Sequence, residues 1–136
     1  MTGKAQEIVE TWLDASWTTA HAREHAEHMD LISKTVSLLG VPGFEVIKYD
    51  DWSRQCKDEF EEEMVKHVRY ERTEVIAAGM SLIIFRAVEI IEVEDGPEDR
   101  NGIEGTLVHE SDGKWRLTQE RILSAEEAER YQIAVN

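Results

Sequence analysis

The chain has 136 residues, 41% of them hydrophobic and 32% charged, with a formal net charge of −14. That length suits one domain with its own core, and the composition is that of an ordinary globular protein rather than a disordered one. The acidic balance and the scatter of the Lys and Arg residues argue against nucleic acid as a partner, because such binding rests on clustered basic charge.

No apolar run approaches the roughly 20 residues that cross a bilayer. The first residues, Met1 to Glu7, enter a helical pattern with no signal-peptide core. The expectation is therefore a cytoplasmic protein with no membrane contact. The single cysteine, Cys56, has no partner for an intrachain disulfide. It sits in an amphipathic helical stretch and reads as a small buried side chain.

Ala5, Ile8, Val9, Trp12, Leu13, Ser16 and Trp17 fall on one helical stripe, which predicts a first helix over residues 5–17. Thr18 and Thr19 offer a cap or a break, and a short second helix is expected over 20–29. Residues 30–39, rich in Ile, Val, Thr and Leu, read as the first strand. Pro42-Gly43 suits the centre of a type II turn, and a short strand is expected over 44–48. A third helix opens near Tyr49, with Asp50 or Asp51 as its N-cap and with Trp52, Cys56, Phe60 and Met64 on one stripe.

From Val65 the period changes to two. Val68, Tyr70 and Ile76 share one parity, while His67, Thr73, Val75 and Ala77 share the other. After a turn at Gly79, residues 81–94 are apolar on both faces and belong in the middle of a sheet or at an interface. A polar loop over 95–102 leads to a strand over 103–110. A tight hairpin at Ser111-Asp112-Gly113 then leads to a last strand over 115–123. Ser124-Ala125-Glu126-Glu127 fits a capping box, so residues 124–136 are expected as a short C-terminal helix or tail of one domain spanning 1–136. Helices followed by a long antiparallel meander give an α+β architecture with helices packed on one sheet face.

The order of these elements is recognisable. A helix, a short helix, the Lys34-Thr35-Val36 strand, the Pro42-Gly43 turn, a helix at Trp52 and three strands closing on Asp112-Gly113-Lys114-Trp115-Arg116-Leu117 resemble the NTF2-like superfamily. Its SnoaL-like and ketosteroid-isomerase-like members, with a cystatin-type cone fold, are the most similar in pattern. The resemblance covers residues 5–123. It implies a strongly curved, mostly antiparallel sheet wrapped around the N-terminal helices, with a conical pocket. It also implies a homodimer through the outer sheet face, which the two-sided apolar run from Leu82 to Val93 fits. Function does not transfer with this fold, which hosts enzymes, transport factors and binding modules.

Ketosteroid isomerases use a carboxylate base after the first strand, a tyrosine and a protonated carboxylic acid. The resemblance sets Leu38 at the base position, Ala15 at the tyrosine and Glu104 as the stand-in for the acid, so that particular chemistry is not expected. Glu89 stands out on its own, because Ala87, Val88, Ile90 and Ile91 flank it. Burial would raise its pKa and suit it to acid–base work; the alternative is a carboxylate at a strand end or paired with Arg121.

His21, His25 and His28 fall at i, i+4 and i+7 with Asp30 just beyond, a spacing able to chelate Zn²⁺. The Ala, Arg and Glu residues around them are those of a solvated helix face, so no metal or cofactor is assigned. His28 and Asp30 join Glu89 and Glu104 as candidate catalytic groups. Trp12, Trp17, Tyr49, Trp52, Phe85 and Arg121 are the candidate ligand-binding residues, with plain core as the alternative for the aromatic ones. The leading expectation is a domain that binds a small apolar or amphipathic molecule. A small-molecule isomerase, lyase or hydrolase is the second, and a protein-interaction module the third.

Overall fold

The computed structural model describes residues 2–62, 65–93 and 96–133. Among the described residues, four α-helices and five β-strands follow one another: α1 (Thr2–His21), α2 (His25–Met29), β1 (Ile32–Leu39), α3 (Tyr49–Glu62), β2 (Val65–Ala78), β3 (Leu82–Val93), β4 (Asp99–His109), β5 (Trp115–Ile122) and α4 (Ala125–Arg130). The strands form one curved sheet in the order β1-β5-β4-β3-β2. Its long meander is antiparallel, and β1 alone joins in parallel, against β5.

The first helix is longer than its stripe predicts, because Thr18 and Thr19 do not stop it. The Thr19 hydroxyl donates back to the Ala15 carbonyl at 2.8 Å, satisfying itself inside the helix. The chain breaks instead at Arg23, whose φ is +57°, and α2 is only five residues long. Residues 44–48 give no strand beyond a single bridge from Ile47 to Leu38. Tyr49 already lies in α3, so Asp50 and Asp51 occupy its first turn, where their charge complements the helix dipole. The position expected for Met64 lies outside the described residues.

Register shifts interrupt several ladders of the sheet, and two of them reset the faces that bear on the site. In β2, Glu71 pairs with Val88 but Glu74 with Arg86, and Arg72 takes up the extra residue at φ +54°. Tyr70 and Val75 consequently face the same way, although their parity separates them. In β5, Leu117 pairs with Leu107 and Gln119 with Thr106, which leaves Thr118 as the extra residue. Beyond it, the face that carries Leu117 is continued by Glu120 and Ile122 rather than by Gln119 and Arg121.

The main core lies between the sheet and the first three helices, with Val9, Trp12, Leu13, Met29, Val36, Cys56, Phe85 and Leu107 among its buried residues. A second cluster lies on the opposite face, where α4 and Ile133 cover Val88 and Ile90, both 0% exposed. The two-sided apolar character of β3 is thus accounted for within one chain, and the expected dimer loses the support drawn from it. No helix among the described residues is long and apolar enough to cross a membrane.

Candidate active site

Where the helices and the sheet diverge, they enclose a cavity of about 580 Å³. Trp12, Ser16 and Trp17 of α1, His28 of α2, and Trp52, Cys56, Glu59 and Phe60 of α3 form one wall. The opposite wall is the sheet, with Val68, Tyr70, Glu89, Ile91, Asp99, Asn101, Glu120 and Ile122. The alternation of β3 explains the sheet side: Ile83, Phe85 and Ala87 belong to the core, and Glu89 and Ile91 continue the same face into the cavity.

Glu89 is directly opposite Tyr70 in the ladder, and the phenol donates to its Oε2 at 3.4 Å. Burial pushes the Glu89 carboxyl above the ordinary carboxylate range, the Tyr70 bond pulls it down, and the charges of Asp99 and Glu59 raise it further. Glu120 is pushed up by burial and then by the charge of Glu89. Buried carboxyls raised by burial and by neighbouring negative charge hold protons into the neutral range. Burial also raises Glu59 and, together with the charges of Glu89 and Glu120, keeps the Tyr70 phenol protonated.

His28 is buried, with its Nδ1 against the Thr19 hydroxyl at 2.9 Å and its ring 5.4 Å from that of Phe60. Burial brings its pKa down to about 4, against a hydrogen bond donated to the Ser16 backbone carbonyl that raises it. It is therefore a neutral imidazole. Cys56 is inert for the same reason, its thiol pushed up to about 12 by burial and by the charge of Glu59.

Glu104 is not a cavity residue. It lies on the outer face of β4, bonded to Arg86 at 2.9 Å and to Arg121 at 3.5 Å. Arg121 is turned to that same face by the bulge at Thr118 and pairs there with Glu127. It neither lines the cavity nor pairs with Glu89. Asp30 is exposed outside the cavity and is held by Lys114 at 2.6 Å and Arg116 at 3.0 Å. Phe85 is 0% exposed and Tyr49 packs against the same core, so both are structural rather than lining. Of the expected ligand-binding residues, Trp12, Trp17 and Trp52 reach the cavity.

The three histidines do not converge. The break at Arg23 puts His21 in one helix, where its ring packs 4.7 Å from that of Trp17. In α2, His25 bonds to the Ser53 carbonyl at 2.9 Å and His28 turns to Thr19. Among the described residues no group of three or more His, Cys, Asp or Glu is placed to hold a metal ion.

The site residues that the periodicity missed are Tyr70 and Glu120. Tyr70 needed only its pairing with Glu89 to be found. Glu120 was hidden by the bulge, which turns it inward against the strict alternation of its strand.

No protein-family model and no curated protein matches the chain. Solved structures do match it. An NTF2-like protein of unknown function from Pseudomonas putida superposes with a TM-score of 0.71 at 10% identity, over 93% of each chain. A candidate dehydratase of the NTF2-like family from Streptomyces avermitilis gives 0.69 at 13% identity, over 90% of this chain and 97% of that one. A candidate scytalone dehydratase from Novosphingobium aromaticivorans gives 0.67 at 10% identity, over 85% and 80%. At such identities the likeness concerns the fold, and the chain has the NTF2-like, cystatin-like fold.

Proposed function

We propose that the chain binds a small amphipathic molecule in its conical cavity and catalyses proton transfer at carbon, as a lyase or isomerase, with Glu89 as the acid–base group. The observation that supports this reading is the Glu89 carboxyl, set against Tyr70 in an aromatic-walled cavity with its proton affinity raised toward neutrality. A group poised there accepts and returns protons near the working pH. Two structures of the same fold are described as candidate dehydratases, a reaction of this class.

In an elimination, ionised Glu89 takes the proton from a carbon beside a carbonyl. The C–H electron pair becomes the new C=C bond, the C–O bond breaks, and the proton leaves on the departing hydroxide as water. In an isomerisation the same carboxyl returns the proton to a neighbouring carbon. Tyr70 remains protonated and orients the carboxylate throughout. Its 3.4 Å bond is long, as catalytic bonds often are before a ligand closes the site.

Ring opening of 5-nitrobenzisoxazole, a base-promoted elimination followed by the colour of its phenolate product, tests the assignment. The expected result is saturable turnover that rises through an ionisation above the ordinary carboxylate range and falls about 10²-fold or more in Glu89→Gln. A rate no faster than that of free acetate, or one indifferent to Glu89→Gln, would overturn the proposal.

A further inference from the structure

We infer that His28 is the specificity residue of the cavity: its Nε2 accepts a hydrogen bond from a hydroxyl on the ligand, which is a neutral molecule with an apolar body. The inference rests on the reading of the cavity as a small-molecule site and names the polar group its ligand carries.

The tautomer of His28 follows from its partners. The Thr19 hydroxyl has one hydrogen, and the Ala15 carbonyl, one turn back in α1, takes it at 2.8 Å. Thr19 Oγ1 therefore meets His28 Nδ1, at 2.9 Å, with a lone pair, and Nδ1 carries the hydrogen of the ring. The Ser16 carbonyl, 3.2 Å from the same oxygen, draws on that hydrogen as well. A neutral imidazole with its hydrogen on Nδ1 keeps an unshared pair on Nε2.

No described residue bonds to Nε2, and yet it is not sealed in. Among the described residues, the only buried side-chain nitrogen or oxygen without a partner is Arg100 Nε. His28 as a whole is 7% exposed and lines the cavity, so the opening left to Nε2 is onto the cavity. Four donors of the lining are turned elsewhere. The Tyr70 phenol bonds Glu89 at 3.4 Å, the Gln55 amide Glu59 at 3.3 Å, the Asn101 amide Asp99 at 3.1 Å and the Trp12 indole the Leu31 carbonyl at 3.1 Å. The partner of Nε2 arrives with the ligand.

An ether or ketone oxygen would set lone pair against lone pair there. A carboxylate or phosphate would add a charge that the neutral ring does not balance. A hydroxyl brings the missing hydrogen. The acceptor is also held in place, because Nδ1 ties the ring to α1 and Phe60 of α3 meets it edge-on, with 5.4 Å between ring centres. The indoles of Trp12, Trp17 and Trp52 offer their faces to the apolar body. The elimination set out above requires a hydroxyl on its substrate in any case, and His28 supplies the means to recognise one. Nε2 has no proton to give, so its part is in binding and Glu89 keeps the proton transfer.

Three probes on one skeleton, 4-phenylbutanol, its methyl ether and butylbenzene, separate the possibilities when titrated by tryptophan fluorescence. The alcohol is expected to bind about threefold to tenfold more tightly than the ether, although the ether is the more apolar of the two. In His28→Phe, which keeps a ring and loses the acceptor, the alcohol should fall to the level of the ether or below it, with ether binding retained. Nitrogen-15 spectra of the imidazoles, assigned through the backbone, give a measure that needs no variant. His28 should carry its hydrogen on Nδ1, and its Nε2 resonance should move when the alcohol binds and stay near its place when the ether does.

An ether that binds as tightly as the alcohol, or an alcohol preference that survives His28→Phe, would overturn the inference. So would a His28 ring with its hydrogen on Nε2, or an Nε2 resonance that bound alcohol leaves unmoved. Each of those results leaves the small-molecule reading standing. Failure of all three probes to bind would overturn both.

Discussion

The carboxyls of the cavity should make the protein less stable as the pH rises through neutrality, opposite to the behaviour of carboxylates held in ion pairs. Burial, with the charges of Asp99 and Glu59 on Glu89 and of Glu89 on Glu120, places the folded-state pKa values of Glu89 and Glu120 above the ordinary carboxylate value. The stability they contribute is fully present below about pH 4.3 and is lost as the pH climbs through their folded values. His28 has the opposite sign. Its pKa is depressed from 6.5 to about 4, so its contribution is present above the unfolded value and lost as the pH falls through the folded one. Above about pH 6.5 it adds no slope.

The buried Cys56 thiol, at about 12, begins to add a loss only where an unfolded thiol ionises, at about pH 8.5. The carboxyls therefore act nearly alone between about pH 6.5 and 8. Each proton that the folded state retains and the unfolded state does not costs about 1.4 kcal/mol per pH unit. If the pair shares one such proton, the loss across that window is about 2 kcal/mol. Urea unfolding at three pH values, followed by far-ultraviolet circular dichroism, measures it. Replacing both groups in Glu89→Gln/Glu120→Gln should flatten the curve. A wild-type curve that is flat or rising, or a slope that survives in the double variant, would refute the burial argument.

Packing and capping give two further predictions. A Cβ at Gly105 would stand 2.5 Å from Cζ and 2.6 Å from Cε1 of the fully buried Phe85 ring. Gly105→Ala should therefore destabilise by about 1–3 kcal/mol in chemical denaturation, and Phe85→Leu in the same chain should recover part of the loss; a neutral Gly105→Ala would show that the ring has room to move. Ser124 and Glu127 form a reciprocal cap on α4, so Ser124→Ala should cost about 1 kcal/mol, and an unchanged unfolding midpoint would mean that α4 does not hold the cover over Val88 and Ile90.

Much of the fold is legible in the residues themselves. The stripe of Ala5, Val9, Trp12 and Leu13 makes a one-sided helix, and the switch to period two after Val65 makes a meander. Pro42-Gly43 forms its turn, with Gly43 at φ +90° and Phe44 donating to the Val41 carbonyl at 3.1 Å. Gly113 closes the last hairpin at φ +88°, and Ser124 caps α4 as its spacing predicts. These are local signals, each set by dihedral preference or by burial periodicity within a dozen residues.

The candidate site was only half legible, because its composition depends on register. Glu89 shows in the sequence through its apolar flanks, and the aromatic residues of the helices through their stripe. The partners of Glu89 come from other strands. The extra residue at Arg72 in β2 and the one at Thr118 in β5 determine that Tyr70 shares the inner face with Val75, that Glu120 faces inward and that Arg121 and Glu104 meet outside. A bulge inverts every side chain beyond it, and nothing local to Arg72 or Thr118 announces one. The sequence by itself determined the order of elements and an acidic chain with one carboxylate in an apolar strand. Only the tertiary structure decided which acids share the cavity, because facing depends on how strands pair, and pairing is a long-range choice.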